Sequence, residues 1–418
     1  MNILVRGARQ LLTLRGSSKP RRGAELRELG LIHDGAVLIQ DGVIQEVGPS
    51  RRLENLHASR GAEEINATGR VVMPGFVDSH THLVCGPSWV QEFEARLAGQ
   101  SGDFLDFSDL KATYRSIQTS SARKVESEAF ATVSAMVRHG TTSLEAKSGF
   151  GANASSEIKI LRVLKNLDRR PVDVTATCLA EHWGEPKDAQ AYLDWFCTKI
   201  LPKVSHRKLA VFADIDCDRR TFQIEELRHY LRQAARLGFM LKVHAGHAAE
   251  SGCAGLAAEF GAISADHLDS VGEAEVAMLG ASATVATLAP GSTFYLGVPG
   301  APARELISQG AAVALATDFN PHTSPTCNMQ MVVSLACSHL HMTPAEAIAA
   351  ATINGAHAIG RAKSAGSIEP GKDADLIILN STDYRDIPYH FGCNQVHLTM
   401  KRGVTIYREG PVLRPPPN

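Results

Sequence analysis

Short apolar runs alternate with longer helical patterns through the middle of the chain. Runs rich in β-branched side chains predict strands, and the amphipathic stretches between them predict helices. The clearest are strands at 172–177, 209–214 and 240–244 and helices at 188–199 and 224–237. Repeated strand–helix units indicate a parallel sheet, and their number favours closure into a barrel. We therefore predict an α/β fold with a TIM-like (β/α)8 barrel at residues 71–361.

Both ends of the chain show a different pattern, in which short apolar strands are separated by turns. Two such runs flank Asp41-Gly42, which is a strong hairpin signal. The segments 374–379 and 403–410 have the same character near the other end. These similarities predict one small β-sandwich domain built from both chain ends, residues 1–70 together with 362–418.

Composition narrows the classes of partner. The 418-residue chain has 44% hydrophobic residues, 21% charged residues and a net charge of -1. A net charge so close to zero does not favour binding to nucleic acid or to an anionic membrane. We therefore expect a small-molecule partner. The beginning of the chain lacks a signal-peptide pattern, and no run of about eighteen apolar residues suggests a membrane span, so we expect a cytoplasmic location. Eight scattered cysteines without a C-x-x-C pair predict reduced thiols rather than disulfides.

Metal-binding side chains follow several predicted strands. His80 and His82 come after an apolar run and project to the same side, His244 closes one strand, and Asp318 closes another. Barrel enzymes place catalytic residues at these strand ends, and catalytic zinc binds imidazole and carboxylate while keeping one position for water. We predict one divalent metal ion per chain on these four residues, zinc with iron as the alternative, in a metal-dependent hydrolase. Asp318 would be both ligand and base.

Three further residues have two interpretations each. His182 and His267 also follow strands. A single histidine at such a place is usually structural, but the other metal-binding side chains at strand ends favour a catalytic role for both. Lys147 could be a carbamylated ligand that bridges two metals. The interpretation that we favour is a solvated or substrate-facing lysine.

Longer motifs along almost the whole chain carry a resemblance to a known family. They are residues 74–84 (PGFVDSHTHLV), 92–97 (EFEARL), 147–151 (KSGFG), 264–268 (SADHL), 316–321 (ATDFNP) and 388–392 (PYHFG). In these motifs the chain resembles the imidazolonepropionase family of the amidohydrolase superfamily. The resemblance implies a homodimer that opens an imidazolone ring during histidine degradation. It also implies a mononuclear zinc or iron site on the four residues above, with His182 and His267 reaching the substrate.

The departures from this family cluster where its members hold substrate. Trp89 stands where the family has an arginine expected to clamp the propanoate carboxylate, and Phe150 replaces a tyrosine. His247 replaces an acid or amide that should touch the reacting ring, and His322-Thr323 replaces Gly-Ser. We therefore expect that the metal site of the family is retained and that the substrate pocket differs from the family's. The expected substrate contacts are Trp89, Phe150, His182, Asn320, His322 and Thr323, and the expected catalytic residues are Asp318, His267, His247 and His182.

The rebuilt pocket favours a substrate that contains sulfur. A protonatable imidazole in place of a carboxylate suits an anionic leaving group, and aromatic faces suit sulfur. Our favoured hypothesis is hydrolytic desulfurisation of thiohydantoin propanoate, a ring formed in ergothioneine breakdown, with release of sulfide. His322, Arg96 or Lys147 would then hold the carboxylate. The alternatives are opening of imidazolone propanoate to N-formimidoyl-glutamate, hydrolysis of a hydantoin or creatinine-like ring, or a non-catalytic binding protein, which the complete metal set disfavours.

Overall fold

The computed structural model describes residues 2–16, 18–99, 108–181, 188–217, 221–245 and 252–410. In chain order the strands are β1 Asn2–Leu12, β2 Leu31–Gln40, β3 Val43–Pro49, β4 Glu63–Asn66, β5 Val71–Pro74, β6 Phe76–Asp78, β7 Thr141–Lys147, β8 Asp173–Ala180, β9 Phe212–Ile215, β10 Met240–Ala245, β11 Ser264–His267, β12 Val285–Leu288, β13 Ala312–Leu315, β14 Leu376–Leu379, β15 Val396–Lys401 and β16 Val404–Arg408.

The α-helices are α1 Ser50–Glu54, α2 Val90–Leu97, α3 Ser108–Thr119, α4 Ala122–Arg138, α5 Ala154–Leu167, α6 Ala189–Trp195, α7 Leu201–His206, α8 Ile224–Arg236, α9 Cys253–Glu259, α10 Glu273–Ala281, α11 Pro290–Leu296, α12 Ala303–Ser308, α13 Met329–Ser338, α14 Pro344–Ala349, α15 Gly355–Ala358 and α16 Asp386–Tyr389. Short 3-10 turns lie at Gly23–Arg27 and His57–Ser59, and π turns lie at Phe196–Ile200 and Ala350–Asn354.

Strands β6 to β13 pair in sequence order, and every pairing between them is parallel. A parallel bridge between Thr81 and Phe319 links the chain just beyond β6 to the chain just beyond β13. There the His82 amide donates to the Phe319 carbonyl at 2.8 Å, and the Asp318 amide donates to the His80 carbonyl at 3.0 Å. The predicted barrel is confirmed, and its strands all end at one face.

Local sequence explains several of the surrounding helices. The Asn153 side chain accepts a hydrogen bond from the Ser156 amide at 3.0 Å and so caps α5. Thr343 and Glu346 form a reciprocal capping box at the start of α14. The predicted helix at 188–199 is α6 followed by a π turn, and the predicted helix at 224–237 is α8.

The other sheet combines strands from both chain ends in the order β16-β15-β14-β5-β1-β2-β3, with β4 beside β1. Side chains from β1, β2 and β3 pack with those from β14 and β15 in one apolar cluster that is separate from the barrel core. The prediction that both chain ends build one separate β structure is confirmed. Residues 71–74, which the predicted division assigned to the barrel, pair as β5 with β1 and β14 in this sheet.

Buried charges join this sheet to the base of the barrel. Lys401, at the end of β15, places its Nζ 2.7 Å from Asp173 Oδ2 at the start of β8 and 2.5 Å from Asp375 Oδ2. Arg402 Nη1 lies 2.7 Å from the other oxygen of Asp173. Because these side chains are almost wholly buried apart from Arg402, the ion pairs fix the two parts of the chain together.

The expectation of reduced cysteines is wrong for one pair. Cys217, just beyond β9, and Cys253, at the start of α9, form a disulfide, with Cα atoms 6.1 Å apart. Both sulfurs belong to the same end of the barrel, although 36 positions separate them in the chain. Their pairing depends on the barrel geometry, which cysteine spacing does not reveal. Within the residues described, no helix has the length and apolar character to span a membrane.

Candidate metal centre

Imidazole side chains from three strand ends meet at the face where the barrel strands end. The ring centroid of His80 lies 5.4 Å from that of His82, 4.5 Å from that of His244 and 5.0 Å from that of His267. All four histidines are buried. The parallel barrel brings together residues that are nearly two hundred positions apart in the sequence, as the strand-end pattern predicted.

Asp318 completes this cluster from the last barrel strand. Its Oδ1 lies 3.4 Å from His80 Nε2 and 3.7 Å from His82 Nε2. Its Oδ2 accepts hydrogen bonds from Ser292 Oγ at 2.5 Å and Thr323 Oγ1 at 3.0 Å. The backbone of Asp318 is left-handed, with φ of 50°, a conformation that costs free energy and is often found at functional sites.

A carboxylate orients each of two histidines. Asp266 Oδ2 lies 2.8 Å from His80 Nδ1, and Asp214 Oδ2 lies 2.9 Å from His244 Nδ1. When a histidine donates from Nδ1 in this way, its Nε2 presents a lone pair. The hydrogen bond to Asp266 therefore presents the Nε2 lone pair of His80 to a metal ion, and the close contact with Asp214 directs the ring of His244.

The arrangement around His80 fits a bound cation. Its buried Nε2 has no hydrogen bond to the described residues, and the contact with Asp318 Oδ1 at 3.4 Å is outside hydrogen-bond geometry. A lone pair that faces a carboxylate oxygen is unfavourable unless a cation lies between them. His80, His82 and Asp318 can each place one ligand atom within 4.8 Å of the other two, and so can His80, His244 and His267.

Burial and neighbouring charges set the protonation of these groups. Burial lowers the pKa of His80 and of His82 well below the usual value, and it lowers the pKa of His267 to about 3. These imidazoles are neutral at pH 7, as metal ligands must be. Burial also opposes the charge of His244, but the Asp214 carboxylate outweighs it and raises the pKa of His244 to about 9. A metal ion that binds His244 would displace a proton.

The expectation of a solvated or substrate-facing Lys147 is wrong. Its side chain is fully buried, and its Nζ lies 2.8 Å from Glu145 Oε1, 2.7 Å from Asp214 Oδ2 and 3.2 Å from Asp266 Oδ2. Burial opposes its charge, but these carboxylates outweigh it and raise the pKa of Lys147. Carbamylation needs a neutral amine, so a charged ammonium disfavours that alternative too. Because its three N–H groups are used, Lys147 does not hold a substrate carboxylate.

Aromatic rings extend from the histidines to the rim of the site. The Phe150 ring lies 5.7 Å from that of His82, and the Trp89 ring lies 6.4 Å from that of Phe150. The His322 ring is 5.0 Å from Trp89, and His322 Nδ1 lies 2.7 Å from Glu92 Oε1. Three positions at which the chain departs from the family therefore lie side by side.

Asn320 and Thr323 hold the turn that follows Asp318. Asn320 Oδ1 accepts from the amides of His322 at 2.9 Å and Thr323 at 2.7 Å, while its Nδ2 donates to the Asp318 carbonyl at 2.7 Å. Arg96, another candidate for the substrate carboxylate, places its guanidinium carbon 4.4 Å from the centroid of the Tyr295 ring. The predicted residues His182 and His247 lie outside the described residues.

Sequence reasoning missed the residues beneath the group of histidines and Asp318. These are Asp214, Asp266, Glu145, Lys242 and Ser292, all fully buried. A signal was present for most of them, since a charged residue inside an otherwise apolar strand must find a partner when it is buried. The partners come from other strands, so their identity required the fold.

Comparison with known proteins agrees with this geometry. Residues 71–406 match the model of the Amidohydrolase family. An imidazolonepropionase from Geobacillus kaustophilus (strain HTA426) is 41% identical over 421 residues, with 98% of this chain and 99% of the relative covered. Two solved structures share the fold. A zinc-bound adenosine deaminase from Xanthomonas campestris has a TM-score of 0.66 and 18% identity, covering 96% of this chain and 92% of its own. A triazine hydrolase variant has a TM-score of 0.73 and 15% identity, and the match covers 97% of this chain and 95% of that one.

Proposed function

Since the chain belongs to the amidohydrolase family, we propose that it is a metal-dependent hydrolase that opens a five-membered imidazolone-type ring carrying a propanoate arm. The observation that carries the proposal is the convergence of His80, His82, His244 and Asp318 at the end of the barrel. The 41% identity to an imidazolonepropionase supports imidazolone propanoate as the first candidate substrate. One zinc ion per chain on these four residues is part of the proposal.

A divalent ion at this place supplies Lewis acidity and lowers the pKa of a water molecule. Asp318 would accept a proton from the attacking water and return it to the ring nitrogen as the carbon–nitrogen bond breaks. Ser292 and Thr323 hold Oδ2 of this carboxylate and so fix its direction. His267, neutral because burial lowers its pKa to about 3, would donate or accept one hydrogen bond with an oxygen or nitrogen bound to the reacting carbon. Water is thus added across the carbon–nitrogen bond that breaks, and the product of this reaction is N-formimidoyl-glutamate.

A second candidate is desulfurisation of thiohydantoin propanoate, favoured by the contiguous rings of Phe150, Trp89 and His322. Here water would attack the carbon of the C=S group, oxygen would replace sulfur, and the sulfur would leave as hydrogen sulfide with the two protons of the water. The edges and faces of these rings suit a polarizable atom. The imidazolonepropionase relative supports the first candidate and not this one.

The two candidates are separated by assaying zinc-loaded protein with both compounds and following ring absorbance and sulfide. Loss of imidazolone absorbance without sulfide production from the thiohydantoin supports the first candidate, and the reverse supports the second. Asp318→Asn is the matched control, and it should lose about 10²–10⁴-fold in kcat for whichever ring is turned over. Turnover of neither ring would overturn the proposal for this substrate class.

We also propose that the enzyme acts as a homodimer on this small heterocyclic substrate, on the strength of the family resemblance. Light scattering coupled to size exclusion gives the mass in solution, and twice the 44.9 kDa of one chain is the expected result. A mass of one chain at working concentrations would contradict the dimer without affecting the proposed chemistry.

A further inference from the structure

Lys147 is a buried cation that the proposed chemistry does not use. It ends β7, and its Nζ donates to Glu145 Oε1 at 2.8 Å, Asp214 Oδ2 at 2.7 Å and Asp266 Oδ2 at 3.2 Å. An ammonium group has three N–H donors, so all of them are occupied. Burying such a charge is costly unless it is fully paired, and the pairing here is complete.

The same two aspartate oxygens also face histidines of the metal cluster. Asp214 Oδ2 lies 2.9 Å from His244 Nδ1, and Asp266 Oδ2 lies 2.8 Å from His80 Nδ1. Lys147, Asp214 and Asp266 come from β7, β9 and β11, alternate strands that contribute to one interior layer of a barrel. The ammonium group therefore cross-links the two carboxylates that orient His80 and His244.

The neighbouring Lys242 does not duplicate this arrangement. Its Nζ donates to the Ser79 carbonyl at 3.0 Å and lies farther from the carboxylates, 3.6 Å from Asp266 Oδ2 and 3.8 Å from Glu145 Oε1. Without Lys147, Asp214 would lose the ammonium group that lies 2.7 Å from it, and Glu145 and Asp266 would keep only the more distant Lys242. The resulting repulsion would move Asp214 and Asp266 out of line with their histidines.

We propose that Lys147 is a positioning residue for the metal centre: it holds Asp214 and Asp266 where they fix the direction of His244 and His80. The proposal rests on the metal site of the proposed function. Carboxylate partners of metal-binding histidines typically contribute 10- to 100-fold in metal affinity or activity, and Lys147 acts on two of them at once.

The test compares Lys147→Met with Lys401→Met, because Lys401 is also a buried lysine between two carboxylates but lies at the opposite end of the barrel. Zinc affinity of the apo proteins is measured by competition with a chromophoric chelator, and the visible spectrum of the cobalt-loaded proteins reports ligand geometry. We expect Lys147→Met to weaken zinc binding about 10- to 100-fold and to change the cobalt spectrum. Lys401→Met should lower the thermal midpoint while leaving both metal readouts as in the wild type.

Lys147→Gln is a second variant, which is neutral and one bond shorter but keeps two N–H donors for the carboxylates. It should fold where Lys147→Met does not and should still bind zinc more weakly than the wild type. Wild-type zinc affinity in a folded Lys147 variant would overturn the proposal, as would an equal loss of affinity in Lys401→Met. Failure of the wild-type protein itself to bind any divalent metal would instead overturn the proposed function on which the inference rests.

Discussion

Asp78 and Thr317 join the first and last strands of the barrel through two hydrogen bonds. The Thr317 amide donates to Asp78 Oδ1 at 2.9 Å, and Thr317 Oγ1 donates to Asp78 Oδ2 at 2.6 Å. Both side chains are fully buried. Because His80 follows one of these strands and Asp318 follows the other, this pair fixes the separation of two proposed metal ligands.

Replacing Asp78 by alanine should therefore reduce stability. The Thr317 amide and hydroxyl would lose their acceptor in a buried place, which costs about 1–3 kcal/mol for each unsatisfied group. We expect the free energy of unfolding in urea to fall by about 2–4 kcal/mol. Asp78→Asn is the control, since it keeps one carbonyl acceptor and should lose less. Equal stability of the alanine variant and the wild type would contradict this account of barrel closure.

Ser292→Ala should lower activity while leaving stability almost unchanged. Ser292 donates to Asp318 Oδ2 at 2.5 Å, and without it this carboxylate is held by Thr323 with less restraint. We expect kcat to fall about 10-fold or more, in the range measured for residues that orient metal ligands. Ser334→Ala, a buried serine that bonds only to backbone carbonyls among the described residues, is the matched control. A loss of equal size in both variants would mean that the effect is not local.

Trp89→Arg should raise selectivity for substrates with an acidic arm. Trp89 stands where the family resemblance places a carboxylate-binding arginine, and the indole nitrogen now donates to Thr113 Oγ1 at 2.9 Å. A guanidinium there can bind a carboxylate through two hydrogen bonds. The measurement is the ratio of kcat/KM for imidazolone propanoate to that for its propanamide analogue. This ratio should increase in Trp89→Arg and stay constant in Trp89→Phe; an unchanged ratio in both would place the acidic arm elsewhere.

Glu157 should make stability fall as pH rises. Its Oε1 accepts from the amides of Gly149 at 3.3 Å and Gly151 at 2.6 Å, which shapes the loop that carries Phe150. Burial raises the pKa of this carboxyl group to about 7 from its usual 4.5. The folded state therefore binds the proton more tightly than the unfolded state does. The stabilisation that this provides is complete below pH 4.5 and is lost as pH rises through 7.

The Glu157→Gln variant cannot ionise and removes this dependence. The free energy of unfolding of this variant minus that of the wild type should be about 2–3 kcal/mol larger at pH 8 than at pH 5, from the 1.36 kcal/mol that each pKa unit represents. Urea unfolding at the two pH values tests this. A constant difference between variant and wild type would show that Glu157 does not titrate in this range.

The Cys217–Cys253 disulfide should leave six titratable thiols, those of Cys85, Cys178, Cys197, Cys327, Cys337 and Cys393. Thiol titration in denaturant without reductant should therefore count six, and after reduction it should count all eight. Cys253→Ser should reduce stability by about 2–5 kcal/mol, the usual cost of removing a native disulfide. A count of eight before reduction would show that the two thiols are adjacent but not bonded.

The strand-end histidines and Asp318 could be located from sequence because the carboxyl ends of parallel strands meet at one face. His80, His82, His244 and His267 indeed lie together there. Lys147 was misinterpreted for a physical reason: a lysine at a strand end is usually exposed, and only three carboxylates from its own and two other strands make its burial tolerable. The partners lie up to 119 positions away in the chain, so no local pattern identifies them.

Two other features depended on long-range geometry. Cys217 and Cys253 meet only because β9, β10 and α9 are neighbours in the barrel. Lys401 lies between Asp173 and Asp375 only because the sheet formed by both chain ends packs against the base of the barrel. Sequence patterns predicted the elements that carry these residues, whereas the pairings between them required the arrangement of those elements in space.

Closure of the barrel between its first and last strands also determines when the site can assemble during synthesis of the chain. His80 and His82 leave the ribosome early, but Asp318 and the bridge from Thr81 to Phe319 come from the last part of the barrel. The small sheet is completed later still, because β1 and β5 are synthesised long before β14, which pairs with β5. A chain that ends before β13 thus carries three of the four proposed metal ligands without Asp318, and the proposed metal centre can form only once the barrel is complete.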